Sequence, residues 1–176
     1  MDQNQSLQEI YQSIYATLQK LVGLHRQLLD TVRLEREALT NADVKAIQDA
    51  TTSKQALIEG IRHAEIERLK AIGSLALLWK KPLKDLTLSN LIIGIQATDL
   101  KLSEQFRTAL NALTILVQRA TEQNEDNRGL VEKSLEHIHQ MKRNVLGESK
   151  PKSNTYTQQG QRANLGGNSR LISKEA

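Results

Sequence analysis

The sequence predicts an all-α protein: an antiparallel three-helix bundle or coiled coil with long helices and a disordered C-terminal tail. Aromatic residues make up only 3% of the 176 residues and there are two prolines. Aliphatic side chains must therefore build the core, and this composition favours helices over a β-sandwich or an α/β enzyme fold. Apolar residues also recur in alternating steps of four and three along three long stretches, the spacing of a coiled-coil or bundle seam.

The first two helices are expected at about residues 5–40 and 43–79. The first seam runs from Leu7 to Leu39, and the second runs from Val44 to Trp79 with Ile58 among its members. Between them, Asn41 and Asp43 are good turn and N-cap residues, because a short side-chain oxygen can accept from the free N–H groups of a helix's first turn. So short a connection predicts an antiparallel hairpin.

A connector at residues 80–97 and a third helix at about 98–146 complete the predicted helical domain, residues 1–146. Pro82 ends the second helix, and Thr87 or Ser89 can cap a short helix in the connector. That short helix carries three apolar residues, Leu91, Ile92 and Ile95. From Gly147 the composition turns to Gly, Ser, Asn and Gln, which predicts a flexible tail over residues 147–176.

Polar residues interrupt the seams. Asn124 and Asn127 occupy apolar positions of the third repeat, and Glu35 does so in the first. One interpretation is that the two amides pair with polar seam residues such as Glu35 or Thr51 and penalise wrong registers. The other is that they mark the boundary between a packed half and a binding half of the third helix. Glu35 is also expected to pair across the hairpin, either with Lys54 on the second seam or with Arg68 further along it.

The third helix is expected to be longer than its partners. At about 1.5 Å per residue, the hairpin arms span roughly 50 Å and the third helix roughly 70 Å. A straight third helix would then leave an apolar face near its end without a partner, a feature typical of a protein-binding site. Alternatively, the helix bends at Gly129 or the connector takes up the difference, and the same residues are ordinary core. These residues are Ile138, Met141, Val145 and Leu146.

No catalytic, cofactor or metal site is predicted. His137 and His139 are two apart and so point to different sides of a helix. His25, on the first seam, is expected to be buried and hydrogen-bonded across helices. The chain has no cysteine, which excludes disulfides and zinc–thiolate sites and fits a reducing compartment. The N-terminus does not resemble a signal peptide, and no apolar run is long enough for membrane insertion. We therefore expect a cytoplasmic protein that is not an enzyme.

The net charge of +4 is unevenly distributed. Residues 147–176 carry five lysines and arginines and two acids, which leaves the rest of the chain at +1. Nucleic-acid binders usually show a denser basic patch interleaved with aromatic residues. The tail is therefore expected to be a solvated segment, and a nucleic-acid adaptor is only an alternative. A self-associating structural coiled coil, that is, a homo-oligomer joined through the same seams, is the other alternative.

Several segments resemble the FlgN-type flagellar export chaperones. The family's acid- and Arg-rich helix end, short turn and following helix match "EREAL", "NAD" and "TSK" within residues 28–61, and "LTLSNLI" is similar to its connector. "QNEDNRGLVEKSLEHI" resembles the third helix, and "TYTQQG" resembles a Tyr-x-x-x-Gly that follows it. The resemblance covers roughly residues 7–162.

The resemblance implies a cytoplasmic, non-enzymatic chaperone of flagellar type III export. Such chaperones bind the C-terminal regions of the hook-filament junction proteins FlgK and FlgL, prevent their premature assembly and deliver them to the export gate protein FlhA. In the family the C-terminal helical region holds the client, which corresponds here to the face with Ile138 and Met141. A tyrosine in the following segment is associated with docking at the gate, and Tyr156 is the matching position.

Overall fold

The computed structural model describes residues 3–146, and the regular secondary structure of this part is helical, with no strand. The predicted all-α class is confirmed. None of the helices in residues 3–146 is long and apolar enough to cross a membrane. The elements are α1 (Gln3–Thr40), α2 (Val44–Trp79), a 3₁₀ helix (Leu83–Asp85), α3 (Leu88–Gln96) and α4 (Leu100–Leu146).

The chain divides into two compact units, residues 1–133 and residues 134–176. The first contains α1 to α3 and most of α4, and the second contains the last turns of α4 up to Leu146. Helix α4 is continuous through Gly129. The predicted flexible tail, residues 147–176, lies outside the described residues.

The turn between α1 and α2 is three residues long and is held by hydrogen bonds. The backbone N–H of Asp43 donates to the carbonyl of Ala38 at 2.9 Å. The carboxylate of Asp43 accepts from the N–H of Ala46 at 3.0 Å and caps α2, as expected from the sequence. Ala42 reaches the left-handed region with φ of 52°. The tight turn places α2 directly against α1.

Helices α1 and α2 approach each other closely, and most of the buried residues of α2 are alanines. Ala50, Ala64 and Ala71 lie at multiples of seven residues and are all buried. The predicted α2 seam is therefore wrong in detail, since Val44 and Ile58 on it are 67% and 47% exposed. A small side chain such as that of alanine at these positions allows the backbones of α1 and α2 to come so close.

Two ion pairs join α1 and α2. Lys20 lies 2.8 Å from Glu67, and the hydrogen bond and charge of this lysine lower the pKa of the Glu67 carboxyl. Further along α1, Glu35 lies 2.8 Å from Lys54. The residue number of the partner falls along α2 as the residue number rises along α1.

An apolar core lies where α3 joins the long helices. Phe106 of α4 is fully buried at its centre, and its ring centroid lies 5.5 Å from that of Tyr15. Thr87 caps α3 by accepting from the N–H of Asn90 at 3.2 Å, one of the two predicted caps. The buried Ser103 hydroxyl donates to the carbonyl of Ile92 at 3.2 Å. The core cluster draws on all four helices and includes Tyr11, Ile14, Leu18, Ile72, Leu75, Leu91, Ile92, Ile95 and Leu102.

Candidate functional site

Four polar side chains from α1, α2 and α4 meet in the first unit; we call them the polar cluster: Glu35, Lys54, Asn124 and Asn127. The Lys54 ammonium donates to both Glu35 carboxylate oxygens at 3.1 and 2.8 Å and to Oδ1 of Asn124 at 2.7 Å. The amide of Asn127 donates to Oε2 of Glu35 at 2.9 Å. The side chains of Glu35 and Lys54 are only 13% and 19% exposed, so the ion pair is shielded from water on most sides.

The structure selects among the partners that the sequence left open. Glu35 is bound by Lys54, whereas Arg68 pairs within its own helix with Glu65 at 2.7 Å. Asn127 reaches Glu35, whereas the Thr51 hydroxyl donates to the carbonyl of Ile47 in its own helix. A lysine side chain spans the gap between helices, and a threonine side chain does not.

Asn127 is the most buried member of the polar cluster, at 2% exposure. Its Nδ2 donates to the carbonyl of Val32 at 2.8 Å as well as to Glu35. Its Oδ1 has no hydrogen-bond partner within residues 3–146. A buried acceptor without a partner costs on the order of 1–3 kcal/mol. The cluster therefore contains both strongly paired charges and one unfavourable atom, which is typical of specificity rather than maximal stability.

A groove of about 600 Å³ lies beside the polar cluster, between α1, α2 and α4. It exists because the backbone of α4 stays farther from α1 and α2 than those two helices stay from each other. Lys54, Asn124 and Arg128 line the groove together with aliphatic side chains, and a cavity of about 230 Å³ adjoins the same residues. The aliphatic lining consists of Leu28, Val32, Ile58, Val117 and Ala120.

The histidines do not form a metal site in the described part of the chain. Nδ1 of His25 lies 2.8 Å from the carbonyl of Leu21, one turn earlier in α1, so the expected bond across helices is wrong. His63 makes the same kind of contact with Glu59 at 2.9 Å. No group of three His, Asp or Glu side chains within residues 3–146 is arranged to hold a metal ion.

The second unit presents an apolar face on the last turns of α4. Ile138, Met141 and Val145 are 58%, 54% and 81% exposed, and Leu146 is 59% exposed. Steps of three and four residues place the first three on one side of the helix. Leu135 is 51% exposed and precedes Ile138 by three residues, so it extends the same face. We call these five residues the α4 face. Leu135 is not among the residues predicted from the sequence, although its spacing of three residues from Ile138 identifies it as part of the same face.

The predicted gate-docking residue, Tyr156, lies outside the described residues. The predicted site residues that are described fall into two groups. Glu35, Asn124 and Asn127 come together at the polar cluster through Lys54. Ile138 and its neighbours belong to the α4 face of the second unit.

Comparison with known proteins decides the family. The family model described as FlgN protein matches residues 2–164, nearly the whole chain. The chain belongs to the FlgN family. FlgN proteins are flagellar export chaperones rather than enzymes, and the all-α architecture agrees with this role. Neither a search of curated proteins nor a search of solved structures found a match.

Proposed function

We propose that this chain is a cytoplasmic chaperone that binds the C-terminal regions of FlgK and FlgL, keeps them unassembled and delivers them to the export gate protein FlhA. The observation that carries the proposal is the α4 face: five large apolar side chains in a FlgN-family chain, each more than half exposed. Exposed apolar surface of this kind is typical of a protein-binding site. The proposal requires no cofactor, metal or catalytic residue.

The proposed mechanism is the docking of an amphipathic client helix along the α4 face. Such a helix lays its apolar side chains against those of the chaperone at the same spacing of three and four residues. Burying a large aliphatic side chain contributes about 1.5–3 kcal/mol when complete, and these residues still have about half or more of that burial to gain. Association entropy offsets much of the gain, so moderate affinity and ready release are expected.

Met141 lies in the middle of the α4 face and suits a chaperone with two related clients. Its unbranched thioether side chain has three rotatable bonds and adapts to differently shaped apolar surfaces. Ile138 and Val145, one turn away on either side, are β-branched and stiffer. We therefore expect Met141 to adapt its rotamer between FlgK and FlgL while its neighbours supply contacts common to both.

We also infer that α1, α2 and α4 of the first unit form an antiparallel three-helix bundle whose register is set by the polar cluster. Support comes from two contacts: Lys20, in the middle of α1, pairs with Glu67 in the second half of α2, and Glu35, near the end of α1, pairs with Lys54 near the start of α2. Helix α4 follows α1 in the same direction, because Phe106 contacts Tyr15 and Asn127 contacts Glu35. Self-association into a homo-oligomer through the α4 face is the competing use of that surface.

Deleting residues 136–176 is expected to abolish co-purification with C-terminal fragments of FlgK and FlgL. The truncated chain should keep its helical circular dichroism spectrum and cooperative unfolding, because the core around Phe106 and the polar cluster both lie before residue 134. A matched control deletes residues 161–176 and should keep client binding. Full client binding by the 136–176 deletion would show that the site lies in the first unit.

Replacing Tyr156 with alanine is expected to preserve client binding and to weaken the association of the client-loaded chaperone with the FlhA cytoplasmic domain at least fivefold. The proposal rests on the match of this tyrosine to the family's Tyr-x-x-x-Gly segment. Biolayer interferometry with immobilised FlhA domain measures the effect, and Tyr156→Phe serves as the control that keeps the ring. Loss of client binding in Tyr156→Ala would mean that the client and gate surfaces have been confused.

A further inference from the structure

Exposed lysines and leucines stand together at the C-terminal end of α2 and in the 3₁₀ helix that follows. Leu77 and Leu83 are 82% and 60% exposed, and Lys80, Lys81 and Lys84 are exposed as well. We call these five residues the lysine corner. They belong to the first unit and are separate from the α4 face. No part of the proposed chaperone function uses them.

The lysine corner is anchored to the apolar core through Trp79. The Trp79 ring stacks edge-on against Tyr11 with centroids 6.4 Å apart. A Cβ at Gly94 would come within 3.1 Å of the same ring, so α3 packs closely on its other part. The Lys81 ammonium lies 5.4 Å from the ring centroid, a cation–π distance. The packing of Trp79 therefore holds the lysine corner in a defined position.

The ammonium groups of the corner have no ion-pair partner in the part of the chain that the structure describes. Within residues 3–146, no carboxylate lies within 4 Å of Lys80, Lys81 or Lys84, whereas several other lysines and arginines of these helices form ion pairs. Asp85 is the one acid between residues 77 and 87. The negative end of the α2 dipole accounts in part for lysines at this position, but it does not account for two strongly exposed leucines beside them.

We propose that the lysine corner is a docking surface for an acidic amphipathic helix of a partner protein. The two leucines receive the apolar face of that helix, and the three ammonium groups receive carboxylates along its edges. Complementary charge makes the encounter fast and sensitive to salt, and it makes the interaction reversible. Polybasic segments that hold anionic membranes usually carry about four to eight lysines and arginines, so three favour a protein partner over a lipid surface.

The test uses the full chain and a fluorescein-labelled 18-residue helix with four leucines on one face and glutamates on both flanks. Fluorescence anisotropy is expected to show binding that weakens at least tenfold in Lys80→Glu/Lys81→Glu/Lys84→Glu and at least fivefold in Leu77→Asp/Leu83→Asp. Both sets are exposed, and thermal unfolding verifies that they fold. A control, Arg26→Glu/Lys45→Glu/Lys133→Glu, makes the same change of charge elsewhere and should bind within twofold of wild type. A copy of the peptide with lysine in place of glutamate should not bind.

The remaining outcomes overturn the proposal. Equal weakening in the lysine-corner and control variants would mean that only net charge attracts the peptide. Loss of binding in Ile138→Asp/Met141→Asp, with the lysine-corner variants unaffected, would place the peptide on the α4 face. Binding of the wild-type chain to vesicles with 30% phosphatidylserine, lost in the lysine variant while no peptide binds, would assign the corner to a membrane surface. The peptide and vesicle measurements do not involve FlgK or FlgL, so their outcome is independent of whether the proposed chaperone function is correct.

Discussion

Aspartate at both Ile138 and Met141 is expected to weaken binding of FlgK and FlgL C-terminal fragments at least 100-fold. Both side chains lie on the α4 face and are 58% and 54% exposed, so their contribution comes from burial against the client. Each substitution removes apolar surface worth about 1–2 kcal/mol and places an unpaired carboxylate in an apolar contact, which adds a similar penalty. Isothermal titration calorimetry with each fragment measures the loss.

The control for this double variant is Gln140→Asp/Arg143→Asp. Gln140 and Arg143 are exposed in the same stretch of α4, and neither is three or four residues from Ile138 or Met141, so both lie on the other side of the helix. The control changes the charge at least as much, and client affinity should stay within twofold of wild type. An equal loss in both variants would attribute the effect to charge rather than to the apolar face. Sedimentation of the wild-type chain as a dimer that both apolar substitutions dissociate would instead favour self-association.

Much of the secondary structure of the first unit could be predicted because it depends on interactions between residues close together in the sequence. Asp43 and Thr87 cap α2 and α3 as expected, since a helix's first free N–H groups need a nearby side-chain oxygen. The first seam was also read correctly where it was apolar: Ile14, Leu18 and Leu21 are fully buried. Cap chemistry and helical periodicity are properties of short segments, and short segments are visible in a sequence.

The contacts between helices depended on how closely two helices approach each other. The apolar pattern of a single helix does not contain that distance. Ala50, Ala64 and Ala71 are among the buried residues of α2, although the larger Val44 and Ile58 gave the stronger apolar signal. The partner of Asn124 is Lys54, because the distance between α2 and α4 suits a long side chain. Nδ1 of His25 lies beside the carbonyl of Leu21 in its own helix rather than at another helix. The distance between helix backbones is a property of the tertiary structure, and it determined which side chains of different helices meet.

Replacing Glu35 with alanine is expected to lower the free energy of unfolding by about 2–4 kcal/mol, because the variant leaves a mostly buried ammonium and amide without their acceptor. Lys54 would keep only Oδ1 of the Asn124 side chain as an acceptor, and Asn127 would keep only the backbone carbonyl of Val32. Urea unfolding followed by circular dichroism at 222 nm measures the change. Glu37→Ala removes the same charge from an exposed position of α1, and its effect should stay below about 0.5 kcal/mol.

Asn127→Leu separates stability from specificity in the same cluster. Leucine loses the two hydrogen bonds of Nδ2, but it also removes the unpartnered Oδ1 and adds apolar burial. Glu35 keeps Lys54 as its partner, so no charge is left alone. We therefore expect unfolding free energy equal to wild type or higher by about 1 kcal/mol, together with a change of oligomeric state in sedimentation. A loss as large as that of Glu35→Ala, with the oligomeric state unchanged, would make the amide a source of stability and would remove the argument that it sets register. The energetic cost of the unpartnered Oδ1 of Asn127 is offset by specificity only if the leucine variant packs its helices in more than one way.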